Sequence, residues 1–193
     1  MVRAGAEKSK AGGKRLQPCP DILCGWLRKL RTMVDPLSQL QAILSSSLAR
    51  PAKAQALAEA IREARGYHWV GLYDVGPDEI VAIAWTGPTP PAFPRFPLAR
   101  GLNGAAVAAR APVVVQDVSQ DPRWLTTFGT TRAEAIFPVS NAAGAVVGTI
   151  DVESEQVGVF GPADEAFLAA AADVLRGFWA AATPSTPSGT PGG

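Results

Sequence analysis

The hydrophobic period of this chain changes several times, and the changes divide it into elements. Leu37, Leu40, Ile43, Leu44 and Leu48 recur at helical spacing. Asp35-Pro36 opens this helix, because the carboxylate can accept from free N–H groups and proline suits the first turn. Pro51 restarts the chain into a second helix, 52–65, with Ala56, Leu57, Ala60 and Ile61 inward and Gly66 as its stop. A period of two follows. Residues 67–73 place Tyr67, Trp69 and Tyr73 on one face and Val70 and Leu72 on the other, and Gly76-Pro77 turns the chain into a second run, 79–85, as a hairpin. Residues 86–97 hold five prolines, which predict no regular structure. So long a loop reads equally as a binding lid or as a stiff surface connection. Gly101-Leu102-Asn103-Gly104 suits a close backbone approach and leads into a short Ala-rich helix, 105–110. Strands follow at 112–115, 134–139 and 145–154, with a polar loop at 117–128 and a turn at 141–144 that makes the last two a hairpin. The final helix begins near Gly161, with Asp164 and Glu165 at its positive end and an apolar stripe of Phe167, Leu168, Ala171, Leu175, Phe178, Trp179 and Ala182. This order predicts an α+β domain: an antiparallel sheet with the N- and C-terminal helices on one face and loops over the other.

The chemistry concentrates in Gly148-Thr149-Ile150-Asp151-Val152-Glu153-Ser154. Strand alternation puts Asp151 and Glu153 on one face, with Thr149 and Val147, and Ile150 and Val152 on the other. Two carboxylates about 7 Å apart on an apolar strand repel unless water, a cation or a donor lies between them. They read either as a solvated strand end or as a pocket wall that expects a cationic or donor-rich ligand. His68 is the only histidine and reads as structural.

Composition narrows the alternatives. Hydrophobic content of 47% and charged content of 18% fit a globular chain, and no apolar run approaches the length of about 18 residues that spans a bilayer. The net charge of +1 is unevenly spread. Residues 1–32 carry eight Lys/Arg against Glu7 and Asp21, net +6, and the remainder is net −5. An acidic body argues against nucleic-acid binding. The leader 1–32 is expected to be largely disordered, with a short amphipathic helix at 21–33, and it lacks the features of a secretory signal. Met33 begins a segment that reads as a normal domain start, which makes 1–32 compatible with an over-extended translation. Residues 184–193 read as a disordered Pro/Ser/Gly tail, leaving a domain at 33–183. Cys19 and Cys24, the only cysteines, lie in the leader at a spacing that fits neither a redox pair nor a zinc pair. No Gly-Lys-Ser/Thr phosphate loop occurs, and no cofactor or metal is expected.

Six segments together resemble a GAF domain over about residues 36–182: Trp69–Tyr73, Arg100–Ala106, Ala111–Val113, Glu134–Val139, Gly148–Ser154 and Phe160–Glu165. Within that family the chain is most similar to the free methionine-(R)-sulfoxide reductases. The resemblance implies a small-molecule pocket in which Trp69, Tyr73, Glu134, Asp151 and Glu153 surround an amino-acid substrate. It also implies thiols at three places that here hold Phe93, Asn103 and about Thr127, none of which can attack a sulfoxide sulfur. Asn103 can still hydrogen-bond a ligand. The expected function is therefore a cytoplasmic, non-catalytic, sensor-type domain that binds an amine-bearing small molecule through Trp69, Tyr73, Asn103, Glu134, Asp151 and Glu153. The alternatives are a reductase with displaced cysteines and a homodimeric interaction module paired through its terminal helices.

Overall fold

The computed structural model describes residues 35–126 and 128–181; the leader with Cys19 and Cys24, the tail 184–193 and Thr127 lie outside them. Helix α1 spans Pro36–Ser45, and Asp35 caps it by accepting from the Ser38 N–H at 3.0 Å. It stops three residues short of the expected end. The Ser45 and Ser46 hydroxyls donate to the carbonyls of Gln41 and Ile43, an alternative to helix continuation, and Leu48 stays exposed. Helix α2, Arg50–Arg65, ends at Gly66 in the left-handed region (φ 68°), where a glycine carries no Cβ penalty.

Strands β1 (Trp69–Val75), β2 (Glu79–Thr86), β3 (Arg95–Pro97), β4 (Val113–Val115), β5 (Ala133–Ser140) and β6 (Val146–Ser154) form one antiparallel sheet in the order β3-β2-β1-β6-β5-β4. Helix α3 spans Gly101–Ala109 and α4 spans Pro162–Ala180. Alternation along the strands splits the apolar residues between two faces. On one, Val70, Leu72, Phe137, Ile150 and Val152 pack with Leu40, Leu57, Ile61, Leu168 and Leu175 of α1, α2 and α4. On the other, Trp69, Tyr73, Ile80 and Phe96 form one cluster, and Leu102, Ala106, Val115, Val118 and Ile136 form another beneath α3. The expected α+β architecture is present, with helices on one face and α3 and loops on the other.

Four local expectations are corrected. The proline-rich segment does contribute regular structure: β3 pairs with β2, Ile80 opposite Phe96. Proline is tolerated there because β3 is an edge strand, where a missing N–H breaks no second ladder. Tyr67 does not share the Trp69 face. The strand begins only at Trp69, and Tyr67 turns toward the helix side, where its hydroxyl donates to Asp164 at 3.1 Å and its ring lies 6.3 Å from Phe160. Val147 likewise packs on the helix side rather than with Thr149, because the β5–β6 register shifts there and an extra residue breaks the alternation. Helix α3 starts at Gly101, four residues earlier than expected. Gly104 lies in its first turn against the preceding chain, where an added Cβ would sit 2.6 Å from the Leu98 carbonyl oxygen.

Candidate functional site

β6 sits between β1 and β5, and that placement builds the site. Glu153 is register-paired with Trp69 on one side and Glu134 on the other; Asp151 is paired with Gly71 and Ile136; Thr149 is paired with Tyr73. Directly opposite residues point to the same face with Cβ atoms about 5 Å apart. Three carboxylates from two adjacent strands therefore share the face away from the helices. All are buried: Glu134 is 4% exposed, Asp151 2% and Glu153 2%. The strand-end reading, in which Asp151 and Glu153 are solvated, is overturned.

Neighbouring donors meet part of this charge. Asn103, carried inward by the first turn of α3, donates its amide to Asp151 Oδ2 at 2.9 Å and accepts from the Thr149 hydroxyl at 2.6 Å. The Thr131 hydroxyl donates to Glu153. Glu134 Oε2 and Asp151 Oδ1, however, are buried without a hydrogen-bond partner. The Trp124 indole N–H is near enough to favour the charged form of Glu134, yet it makes no hydrogen bond of acceptable geometry. Burial is the main force that raises the Glu134 pKa well above the carboxylate range, with the charges of Asp151 and Glu153 adding to it. Asp151 is raised for the same reasons, burial first and Glu153 second, and the Asn103 bond opposes the shift. Burial and the three acids also push the Tyr73 phenol well above its ordinary value. Such a cluster favours protons, or a ligand that brings positive charge. Among the described residues no group of three His, Cys, Asp or Glu is placed to hold a metal ion.

The acids face a cavity of about 20 Å³, room for about one water molecule. Four of the six residues expected from the sequence line it: Tyr73, Asn103, Glu134 and Asp151. Trp69 and Glu153 are on the same face but do not line it. The Trp69 indole N–H donates to the Thr89 carbonyl at 3.0 Å, and its ring centroid lies 5.6 Å from that of Phe128. The rest of the wall is Phe93 and Phe96 from the proline-rich segment, Gly101 and Leu102 from α3, and Leu125 from the loop before β5. Periodicity gave no signal for Phe96, Leu125 or Thr131, because each lies outside the runs it can read.

A larger, open cleft of about 760 Å³ lies between the end of α2 and the start of α4, with Arg62, Arg65, Tyr67, His68, Glu155 and Asp164 in its wall. Arg65 pairs with Asp164 across it at 3.2 Å, and His68 Nε2 lies 3.7 Å from Glu155. None of its side-chain nitrogen or oxygen atoms is buried without a partner. The small acidic cavity, not the large cleft, carries the unmet chemistry.

Comparison with known proteins agrees with this architecture. A family model described as GAF domain matches residues 53–176. The chain is 27% identical over 133 residues to GAF domain-containing protein A of Dictyostelium discoideum, an alignment that covers 68% of this chain and 82% of the relative. Among solved structures it is similar to the free methionine-R-sulfoxide reductase of Neisseria meningitidis in complex with its substrate, with 31% identity, a TM-score of 0.69, and coverage of 75% of this chain and 86% of that one. It is also similar to the type II free methionine-R-sulfoxide reductase of Thermoplasma acidophilum, with 28% identity, a TM-score of 0.63, and coverage of 67% and 91%. With the six-stranded sheet, its flanking helices and a family match over more than half its length, the chain belongs to the GAF domain family.

Proposed function

We propose that this GAF domain, a small-molecule-binding, sensor-type fold, binds an amine-bearing molecule of amino-acid size and performs no thiol redox chemistry. One observation carries the reading: two buried carboxylate oxygens without partners, Glu134 Oε2 and Asp151 Oδ1, belong to residues that line one cavity. An ammonium group has three N–H donors and a positive charge. It meets both orphaned acceptors and removes the repulsion that burial and neighbouring acids impose. The Neisseria relative is described in complex with its substrate, a further reason to test methionine derivatives first. The non-catalytic part of the proposal rests on the sequence, which has no cysteine after Cys24, so residues 35–181 hold no thiol to attack a sulfoxide.

Calorimetry with methionine, its sulfoxides and other amino acids tests the binding. Saturable binding should release protons, because an ammonium favours ionised Glu134 and Asp151; repeating the titration in buffers of different ionisation enthalpy measures that release. If no amine-bearing compound binds, the proposal fails. A thioredoxin-coupled assay should give no turnover of methionine sulfoxide. Turnover that disappears when Cys19 and Cys24 are replaced would assign the domain to the reductases instead.

A further inference from the structure

The cavity is too small for an amino acid as it stands, so something must move before a ligand enters. The wall has one segment built to do so. Residues 87–94 leave β2 and return at β3, and four prolines stiffen them: Pro88, Pro90, Pro91 and Pro94. A stiff segment moves about its fastenings rather than by bending along its length. Its far end is held to the sheet, where the Ala82 N–H donates to the Pro94 carbonyl at 2.8 Å. Between Gly87 and that point the one hydrogen bond described from sheet to segment is Trp69 Nε1 to the Thr89 carbonyl, at 3.0 Å. Phe93, near the segment's far end, lines the acidic cavity yet is 44% exposed, so it stands at the mouth.

Trp69 is fitted to this task. It is 1% exposed, and its ring lies across two glycines: an added Cβ would fall 2.4 Å from the ring at Gly71 and 2.3 Å from it at Gly87. The ring is therefore seated on backbone at both ends, and its N–H is aimed at the segment rather than at the acids. We propose that Trp69 is a positioning residue that fastens segment 87–94 over the acidic cavity, and that release of this fastening, with displacement of Phe93, is the route by which the ligand enters and leaves. The second half of this inference rests on the binding reading above; the first half does not.

Trp69→Phe keeps an aromatic ring and removes the N–H, and Phe93→Ala opens the mouth at a half-exposed position. Amide nitrogen relaxation reads the fastening without a ligand. Trp69→Phe should lower the backbone order parameters of Gly87, Thr89, Ala92 and Phe93 from the rigid value of about 0.85 toward about 0.6, with those of β5 and β6 unchanged. Stopped-flow binding of methionine reads the door. Trp69→Phe should raise association and dissociation rates together and leave Kd within about twofold, and Phe93→Ala should raise association with the melting temperature unchanged. Unchanged order parameters at 87–93 in Trp69→Phe, or a fall spread equally over β5 and β6, overturns the fastening. A tenfold weaker Kd in Trp69→Phe with an unchanged association rate makes Trp69 a ligand contact and also overturns it. If the order parameters fall as stated but methionine and the other amino acids bind neither wild type nor variants, the fastening stands and the binding reading falls.

Discussion

Replacing Asp151 by Asn separates the charge of the site from its shape. Asn is nearly isosteric, and its amide oxygen can take the 2.9 Å bond from Asn103 that Asp151 Oδ2 now accepts. What is lost is a buried ionisable carboxyl whose second oxygen has no partner. In the unliganded domain at neutral pH that carboxyl is a liability, because burial and then Glu153 oppose its ionisation, so it must take up a proton or carry the charge at a cost. Exchanging a buried charge for a neutral group of similar shape often stabilises by about 1 kcal/mol or more. At this domain size each kcal/mol moves Tm by about 2–4 °C. The unliganded variant should therefore melt at least a few degrees above wild type at neutral pH. Amine binding should move the other way, since a charge-assisted hydrogen bond contributes about 1.5–3 kcal/mol. Its loss weakens Kd by about 10- to 150-fold. Scanning calorimetry and isothermal titration with methionine measure both effects on one preparation. A variant that melts lower than wild type, or one that binds methionine equally well, would refute the reasoning, because the carboxylate would then be a structural asset with no role toward the ligand.

The raised pKa values of Glu134 and Asp151 also set a pH dependence. Their folded values exceed the unfolded ones, so the native state holds more protons between the ordinary carboxylate range and the raised values. Stability from this source is full at acidic pH and falls as pH rises through that window; thermal melts across pH should show the fall, and Asp151→Asn should flatten it. Gly148→Ala should cost about 1–3 kcal/mol in urea unfolding, because its Cβ would lie 2.2 Å from the Trp179 ring that seats α4 on the sheet; an unchanged midpoint would mean the ring yields freely. Gly71→Ala should destabilise by a similar amount, since its Cβ would press on both Trp69 and Tyr73, at 2.4 and 2.8 Å, and the same unfolding measurement checks it.

The sequence by itself determined the elements and their faces. Helix periodicity located α1, α2 and α4, turn residues located the hairpins, and alternation in β6 placed Asp151 and Glu153 on one side and Ile150 and Val152 on the other. These are local properties, set by side-chain spacing within one element. Which residues stand opposite one another was not local. Only the tertiary structure set β6 between β1 and β5, and so put Glu134 and Trp69 on either side of Glu153. It also set the depth of burial that leaves Glu134 and Asp151 with orphaned oxygens, because α3 and the proline-rich segment close over them from distant parts of the chain. The same closure separated residues that looked alike in sequence. Tyr73, Asn103, Glu134 and Asp151 line the cavity. Trp69 turns its N–H to Thr89 and Glu153 takes the Thr131 hydroxyl, because loops with no periodicity of their own arrive beside them.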